Sequence, residues 1–185
     1  MKKILLYGVD DQTADRYQNL ASDENVAMYV INDSFLNETV ETAFSINSDL
    51  DNVHEQYDRM YMLMMGISED ELIRLITSFV QHGLPFDGVK VMLSENGPNW
   101  TLRHLFEETG MENDRTVIMI ELRKLLLQAE SIQINLMPEL EAKRLKKAIQ
   151  NGKAVASNKN IEYFKLHECI TELKDAMESA PHILS

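Results

Sequence analysis

A pattern that occurs twice within the first 110 residues constrains the fold of this 185-residue chain more than any other feature. An apolar run of strand length that ends at Gly8 is matched by one that ends at Gly66, and polar residues follow both. Three further matches come in the same order: helical apolar positions, a second apolar run, and an Asn-x-Thr-hydrophobic sequence. Such an ordered series indicates duplication of one supersecondary unit. The matched residues are Ala14, Tyr17 and Ala21 with Leu72, Leu75 and Phe79; Val26, Met28 and Val30 with Val89, Val91 and Leu93; and Asn37, Thr39 and Phe44 with Asn99, Thr101 and Phe106.

The repeat predicts two βαβα units, over residues 1–45 and 59–110, which together form an α/β domain over residues 1–112. Four strands are expected, at 3–8, 26–31, 60–65 and 89–93. They are nearly continuous apolar runs, which is typical of strands that helices cover on both faces. We therefore predict a small four-stranded parallel sheet. A ferredoxin-like α+β sheet uses the same elements and is the alternative.

Beyond residue 112 the periodicity changes to that of long helices, so residues 113–185 are predicted to form a helical extension. Apolar residues of its first helix are spaced alternately by four and three positions, which is a heptad-like seam. The Asn151-Gly152 pair is expected to end the second helix. The seam either packs within the chain or forms the interface of a homodimer, and both alternatives stay open. Its residues are Ile118, Leu122, Leu125, Ala129, Ile132 and Leu136.

Charge is divided unevenly between these two parts. The formal net charge is −12, but residues 1–112 contain 7 Lys and Arg against 20 Asp and Glu, whereas residues 113–185 contain 11 against 10. The acidic first part repels phosphate backbones, so no nucleic-acid partner is predicted. No apolar run approaches the roughly 18 residues of a membrane-spanning helix, so no membrane partner is predicted. The single cysteine and the lack of an export signal predict a cytoplasmic protein.

Polar side chains follow the predicted strands, and an open parallel sheet binds ligands beyond the carboxyl ends of its strands. Carboxylate and amide oxygens together suit a hard cation such as Mg²⁺ or Ca²⁺. The same residues can instead cap the helices that follow. The tryptophan of this set can line a site or anchor in the core. The candidate ligand-binding residues are Asp10, Asp11, Asp70, Asn96, Asn99 and Trp100.

The sequence shows no motif of nucleophilic or nucleotide chemistry. It has no nucleophile elbow, phosphate-binding loop or dinucleotide fingerprint, and its five histidines lack metal-ligand spacing. No cofactor is therefore predicted. The leading hypothesis is a non-catalytic binding, regulatory or protein-interaction module. The alternative is a divalent-cation-dependent enzyme, or a binder of a small phosphate-type ligand, that uses the acidic strand ends.

Residues 60–109 combine five short sequences: Gly66-Ile67-Ser68, Glu69-Asp70-Glu71-Leu72, Gly83-Leu84-Pro85, Val89-Lys90-Val91-Met92-Leu93 and Asn99-Trp100-Thr101-Leu102. Together they resemble a bacterial family known as domain of unknown function 3783. The sequence departs from the family at Ser94-Glu95 and at Gly97-Pro98, and the resemblance does not extend beyond residue 112. It implies a bacterial cytosolic protein without an assigned activity, so it leaves the function open.

Overall fold

The computed structural model describes residues 2–51, 54–94, 99–158 and 161–179. The chain divides into two compact units, Met1–Gly110 and Met111–Ser185. The sequence places the corresponding boundary between residues 112 and 113. Each unit is described by itself below.

The first unit contains a four-stranded sheet with helices on both faces, and the second unit is helical. The strands are β1 (Lys3–Tyr7), β2 (Ala27–Val30), β3 (Tyr61–Met65) and β4 (Val89–Leu93). Two short 3-10 helices lie at Asp33–Phe35 and Ile134–Leu136. The α-helices are α1 (Asp11–Asp23), α2 (Val40–Phe44), α3 (Glu69–Gln81), α4 (Leu102–Ser131), α5 (Glu139–Ser157) and α6 (Tyr163–Glu178).

The sheet is mixed, so the predicted α/β class is confirmed and the predicted parallel sheet is wrong. The strand order is β2-β1-β3-β4; β1 is parallel to β2 and β3 to β4, but β1 and β3 are antiparallel. Continuous apolar runs report burial on both faces, and they carry no information on strand direction. The ferredoxin-like alternative is not confirmed, because β1 and β2 are direct neighbours with no strand inserted between them.

Residues that correspond in the two halves pair with each other across the middle of the unit. Leu5 pairs with Leu63 in the antiparallel ladder, and Thr39 forms an isolated antiparallel bridge with Thr101. Two copies related by a two-fold axis meet in this way, since equivalent residues then face each other. The repeat remains an interpretation of the sequence, and these pairings agree with it.

Local backbone conformation also matches between positions 58 residues apart. Gly8 and Gly66 end their strands with φ of 74° and 71°. Asn25 and Gly83 follow the first helix of each half with φ of 57° and 69°. These left-handed conformations suit glycine and asparagine, which is why such residues stand there.

The register of the edge strands differs by one residue from the sequence alignment. Ala27 pairs with Lys3 and Val89 pairs with Tyr61, so Ala27, and not Val26, corresponds to Val89. The alignment matched valine to valine, but a shift of one residue exchanges the two faces of a strand. The true equivalents are therefore Met28 with Lys90 and Val30 with Met92.

Apolar side chains fill both faces of the sheet. One core lies between the sheet and the helices α1 and α3, and it includes Ile4, Leu6, Met62 and Met64. The other core lies between the sheet and α2 with the first turns of α4. Its members include Leu5, Tyr7, Tyr61, Leu63, Leu102 and Phe106.

The second unit has a core of its own, formed by α4, α5 and α6. Asn151 and Gly152 do not end α5, which continues to Ser157. Gly152 is buried, and a Cβ atom built there would lie 2.8 Å from Cδ2 of Leu126 and 3.3 Å from Cδ1 of Leu173. The glycine therefore allows neighbouring helices to approach closely, which overrides its tendency to end a helix.

Candidate functional site

The two carboxylates after β1 lie at the start of α1. The Asp10 carboxylate is the N-cap of this helix and accepts a 3.0 Å hydrogen bond from the backbone N–H of Thr13. Hydrogen bonds from Thr13 hold the pKa of Asp10 below its usual value. Asp11 is an exposed residue of the first helical turn. Asp10 therefore performs the helix-capping role that was the alternative to ligand binding.

The predicted acidic residues do not form one cluster. Asp70 is exposed in the first turn of α3, which follows β3. The strands β1 and β3 are antiparallel, with Lys3 opposite Met65 and Tyr7 opposite Tyr61. Their carboxyl ends therefore lie at opposite ends of the strand pair. The four residue steps between those ends correspond to about 14 Å. Within the described residues no group of three or more His, Cys, Asp or Glu could hold a metal ion.

The three candidates before α4 have different fates. Asn96 lies outside the described residues, and Asn99 is exposed. The Trp100 ring is partly buried against the second core, and its centroid lies 4.6 Å from that of His104. The Trp100 carbonyl accepts a 2.9 Å hydrogen bond from the N–H of Val40, so this residue helps to join the two halves. Thr101, and not Asn99, accepts the His104 N–H at the start of α4.

A polar group that the sequence reasoning missed lies at the end of β1. The buried Tyr7 hydroxyl donates to Oδ1 of Asp33, and Oδ2 of Asp33 accepts the N–H of Glu55 at 2.7 Å. Burial and then the Asp33 carboxylate raise the pKa of Tyr7. The Tyr7 ring also contacts those of His54, Tyr57 and Phe106. The Asp33 carboxylate thus joins Tyr7 to Glu55, and these hydrogen bonds hold the segment before β3 in place.

Lys3 is a second polar residue without a role in the sequence analysis. Its side chain is 1% exposed, and its ammonium donates to the carbonyl oxygens of Phe44, at 2.9 Å, and Ile46. A lysine inside an otherwise apolar run was the available signal. The cation lies at the end of α2, where it satisfies carbonyl groups that the helix leaves unpaired.

One side of the first unit exposes apolar side chains. On α3, Ile73 and Val80 are 64% and 57% exposed, and on the edge strand β4 Met92 is 46% exposed. Ile76 is partly buried between the two exposed helix positions, and Lys90 is exposed beside Met92. We call this set, Ile73, Ile76, Val80, Lys90 and Met92, the α3–β4 surface.

The equivalent positions of the first half have a different character. Asp15, Gln18 and Ser22 occupy the positions of Ile73, Ile76 and Val80, so the outer side of α1 is polar. Met28 and Val30, the equivalents of Lys90 and Met92, are 5% and 4% exposed because α1 packs on β2. The apolar exposure is therefore a property of the second half and not of the shared architecture.

The predicted interface residues are used within the second unit. Ile118, Leu122 and Ala129 are buried against α5 and α6, and Leu125 and Ile132 are partly buried there. Leu136 is 53% exposed, because α4 ends at Ser131 and Leu136 belongs to the 3-10 helix that follows. The seam thus packs within the chain, and a homodimer stays a prediction.

Two shallow depressions lie on the surface of the second unit. One follows α4 from Glu112 to Arg123, and the other is lined by residues that include Glu130, Lys146 and Gln150. Of the candidate ligand-binding residues that the structure describes, none lines either depression.

No protein-family model, no curated protein and no solved structure matches the chain. The resemblance to domain of unknown function 3783 therefore stays a prediction. Among the helices of the described ranges, none is long and apolar enough to cross a lipid bilayer.

Proposed function

We propose that this chain is a non-catalytic protein-interaction module of the cytoplasm that binds a protein partner through the α3–β4 surface. One observation carries the proposal. Within the described part of the first unit, the large apolar side chains that are exposed are Ile73, Val80 and Met92, and all three belong to this surface. Apolar residues scattered singly over a surface need no explanation, whereas several on one side of a unit are typical of an interaction site.

The comparison between the two halves strengthens the proposal. The fold accepts polar residues on the outer side of the first helix, as Asp15 and Ser22 show. Ile73 and Val80 at the same positions of α3 therefore contribute no packing that the architecture requires. Burying such side chains against a partner releases free energy of about 25 cal/mol per Å² of apolar surface.

The polar groups at the strand ends support a binding role and not a catalytic one. The Asp10 carboxylate caps α1, and the Glu71 carboxylate completes a capping box with Ser68 at the start of α3. The Tyr7 hydroxyl and the Lys3 ammonium are buried in bonds to Asp33 and to the end of α2. The oxygen and nitrogen atoms that a reaction would need are thus used in hydrogen bonds that stabilise local structure.

Partner capture from cells that contain the protein naturally tests the proposal through one substitution and its matched control. Val80→Glu places a charge in the α3–β4 surface, and Ser22→Glu places the same charge at the equivalent position of α1. We expect partners that the wild type and Ser22→Glu retain to be lost with Val80→Glu, while both variants keep the wild-type circular dichroism and unfolding temperature. If Val80→Glu retains the same partners as the wild type, the proposed function is wrong.

A further inference from the structure

The outer edge of β2 is covered by a segment of the chain itself. The N–H of Val30 donates to Oδ1 of Asp49 at 2.7 Å, and the carbonyl of Val30 accepts the N–H of Leu50 at 3.1 Å. Asp49 also accepts a 2.8 Å hydrogen bond from the side chain of Gln18 on α1. The segment around Asp49 thus satisfies the outward main-chain groups of Val30, which an edge strand otherwise leaves unpaired.

The outer edge of β4 is open at the equivalent position. The N–H of Val89 donates to Met60 at 2.9 Å, so it points towards β3, and the alternation of a strand turns the main-chain N–H and C=O groups of Lys90 and Met92 outwards. Met92 is the equivalent of Val30. In the ranges that the structure describes, no hydrogen bond reaches the main chain of Met92. The chain continues after Phe106 as α4, so the described residues of the second half supply no counterpart to the segment around Asp49.

We propose that β4 binds an extended segment of another protein as a fifth strand, and that this segment alternates apolar with basic side chains. This inference rests on the proposed function and names the partner class and its binding mode. Main-chain hydrogen bonds give affinity in such strand addition, and pockets for alternate side chains give specificity.

The α3–β4 surface supplies the apolar part of this recognition. A strand added to β4 lies about 4.8 Å from it, so its side chains on the α3 side reach Met92. Ile73, Ile76 and Val80 share one side of α3, since they are separated by three, four and seven positions. The added strand buries apolar side chains between this side of the helix and Met92.

Charge determines which polar residues the partner carries. The part of the chain that contains β4, residues 1–112, has 20 Asp and Glu against 7 Lys and Arg. Glu69 lies on the same side of α3 as Ile73, and Asp87 lies just before β4, so a carboxylate stands at each end of the surface. Lys90 turns back towards the start of the strand: its ammonium lies 5.3 Å from the Phe86 ring centroid and 3.3 Å from the Gly88 carbonyl. A basic segment is therefore attracted to this edge.

A second copy of the chain fits this edge less well. Each copy carries a net charge of −12, so association of two copies is opposed by their repulsion.

Synthetic peptides test the inference on the full-length protein. The probe is a blocked octapeptide of alternating valine and lysine, and the two matched peptides replace its lysines by glutamates or N-methylate alternate main-chain nitrogens. Fluorescence anisotropy of labelled peptides measures the binding. We expect the lysine peptide to bind at least about tenfold more tightly than either matched peptide. We also expect Val80→Glu to change the affinity for the lysine peptide more than Ser22→Glu does, because only Val80 belongs to the α3–β4 surface.

Each other outcome contradicts a definite part of the inference. Absence of binding at millimolar lysine peptide, or equal affinity of the N-methylated peptide, overturns strand addition. Equal affinity of the glutamate peptide overturns the basic character of the partner. A doubled mass of the protein alone, lost in Met92→Glu, identifies a second copy as the occupant. None of these outcomes affects the capture experiment with Val80→Glu, so failure of the inference and failure of the proposed function remain distinguishable.

Discussion

In each half of the first unit a strand side chain donates a hydrogen bond to a helix carbonyl, and the two donor groups differ. Lys3 and Tyr61 are equivalent residues at the start of β1 and β3. The Lys3 ammonium donates to the carbonyl of Phe44, and the Tyr61 hydroxyl donates to the carbonyl of the equivalent Phe106 at 3.0 Å. At Phe44 the helix ends, and a cation favours a helix C-terminus. At Phe106 the helix continues as α4, where a neutral donor is sufficient.

Replacing Lys3 tests this capping role. Lys3→Met keeps the aliphatic volume but removes the donors, which leaves the buried carbonyls of Phe44 and Ile46 without this partner. We expect the free energy of unfolding to fall by about 1–3 kcal/mol, measured by denaturant titration. The exposed Lys124→Met is the control and should change it by less than about 0.5 kcal/mol. Equal stability of the Lys3→Met variant and the wild type would contradict the role.

Glu71 makes stability depend on pH at the acid side. The hydrogen bond from Lys2 and those from Ser68 lower the pKa of Glu71 from 4.5 to about 2. The folded state thus holds this carboxylate ionised where the unfolded state protonates it, so its stabilising effect is present above pH 4.5 and is lost as the pH falls through about 2. We expect Glu71→Gln to reduce the slope of unfolding free energy against pH in this window. Glu69→Gln, in the same turn, serves as the control, and an unchanged slope in Glu71→Gln would contradict the assignment.

At the scale of whole elements, α4 shows that a heptad seam does not identify its own partner. Ile118, Leu122 and Ala129 have the spacing of a coiled-coil interface, and α5 and α6 of the same chain cover them. Away from the seam, α4 exposes Val117, Ile120 and Leu127, at 56%, 47% and 70%. A homodimer through α4 would therefore have to use these exposed residues.

Leu122→Ala distinguishes the two uses of the seam. Leu122 is fully buried within the second unit, so its truncation leaves a cavity and should lower the stability of that unit by about 3 kcal/mol. Thermal unfolding followed by circular dichroism measures this loss, and the mass in solution should stay unchanged. Leu127→Ala, on the exposed side of the same helix, is the control with little effect. A change of mass without loss of stability would show instead that the seam joins two copies.

At the scale of the whole molecule, two similar halves of the first unit have different edges. The segment around Asp49 covers β2, whereas β4 leaves the main chain of Met92 facing outwards within the described residues. The difference follows from connectivity: after α2 the chain returns past β2 to reach β3, whereas after Phe106 it continues as α4. Unpaired main-chain groups on an edge strand are what an added partner strand pairs with.

Much of the fold could be predicted because each signal was local. The strands, the glycines at their ends and the capping role of Ser68 follow from apolar runs and turn chemistry within a few residues. The candidate site was less accessible. Grouping Asp10, Asp11 and Asp70 assumed that the carboxyl ends of all strands lie together, and the antiparallel β1–β3 pair separates them. Met92 and Val80 resembled ordinary core residues, because exposure depends on what lies above a side chain.

The sequence by itself determined the strands, most helix positions and the burial of the sheet on both faces, since these depend on periodicity within each segment. Only the tertiary structure decided the direction of β3 against β1, the partner of the α4 seam and the difference between the edges of β2 and β4. These features arise from contacts between residues far apart in the chain. Periodicity records that a side chain is covered, and the path of the whole backbone decides what covers it.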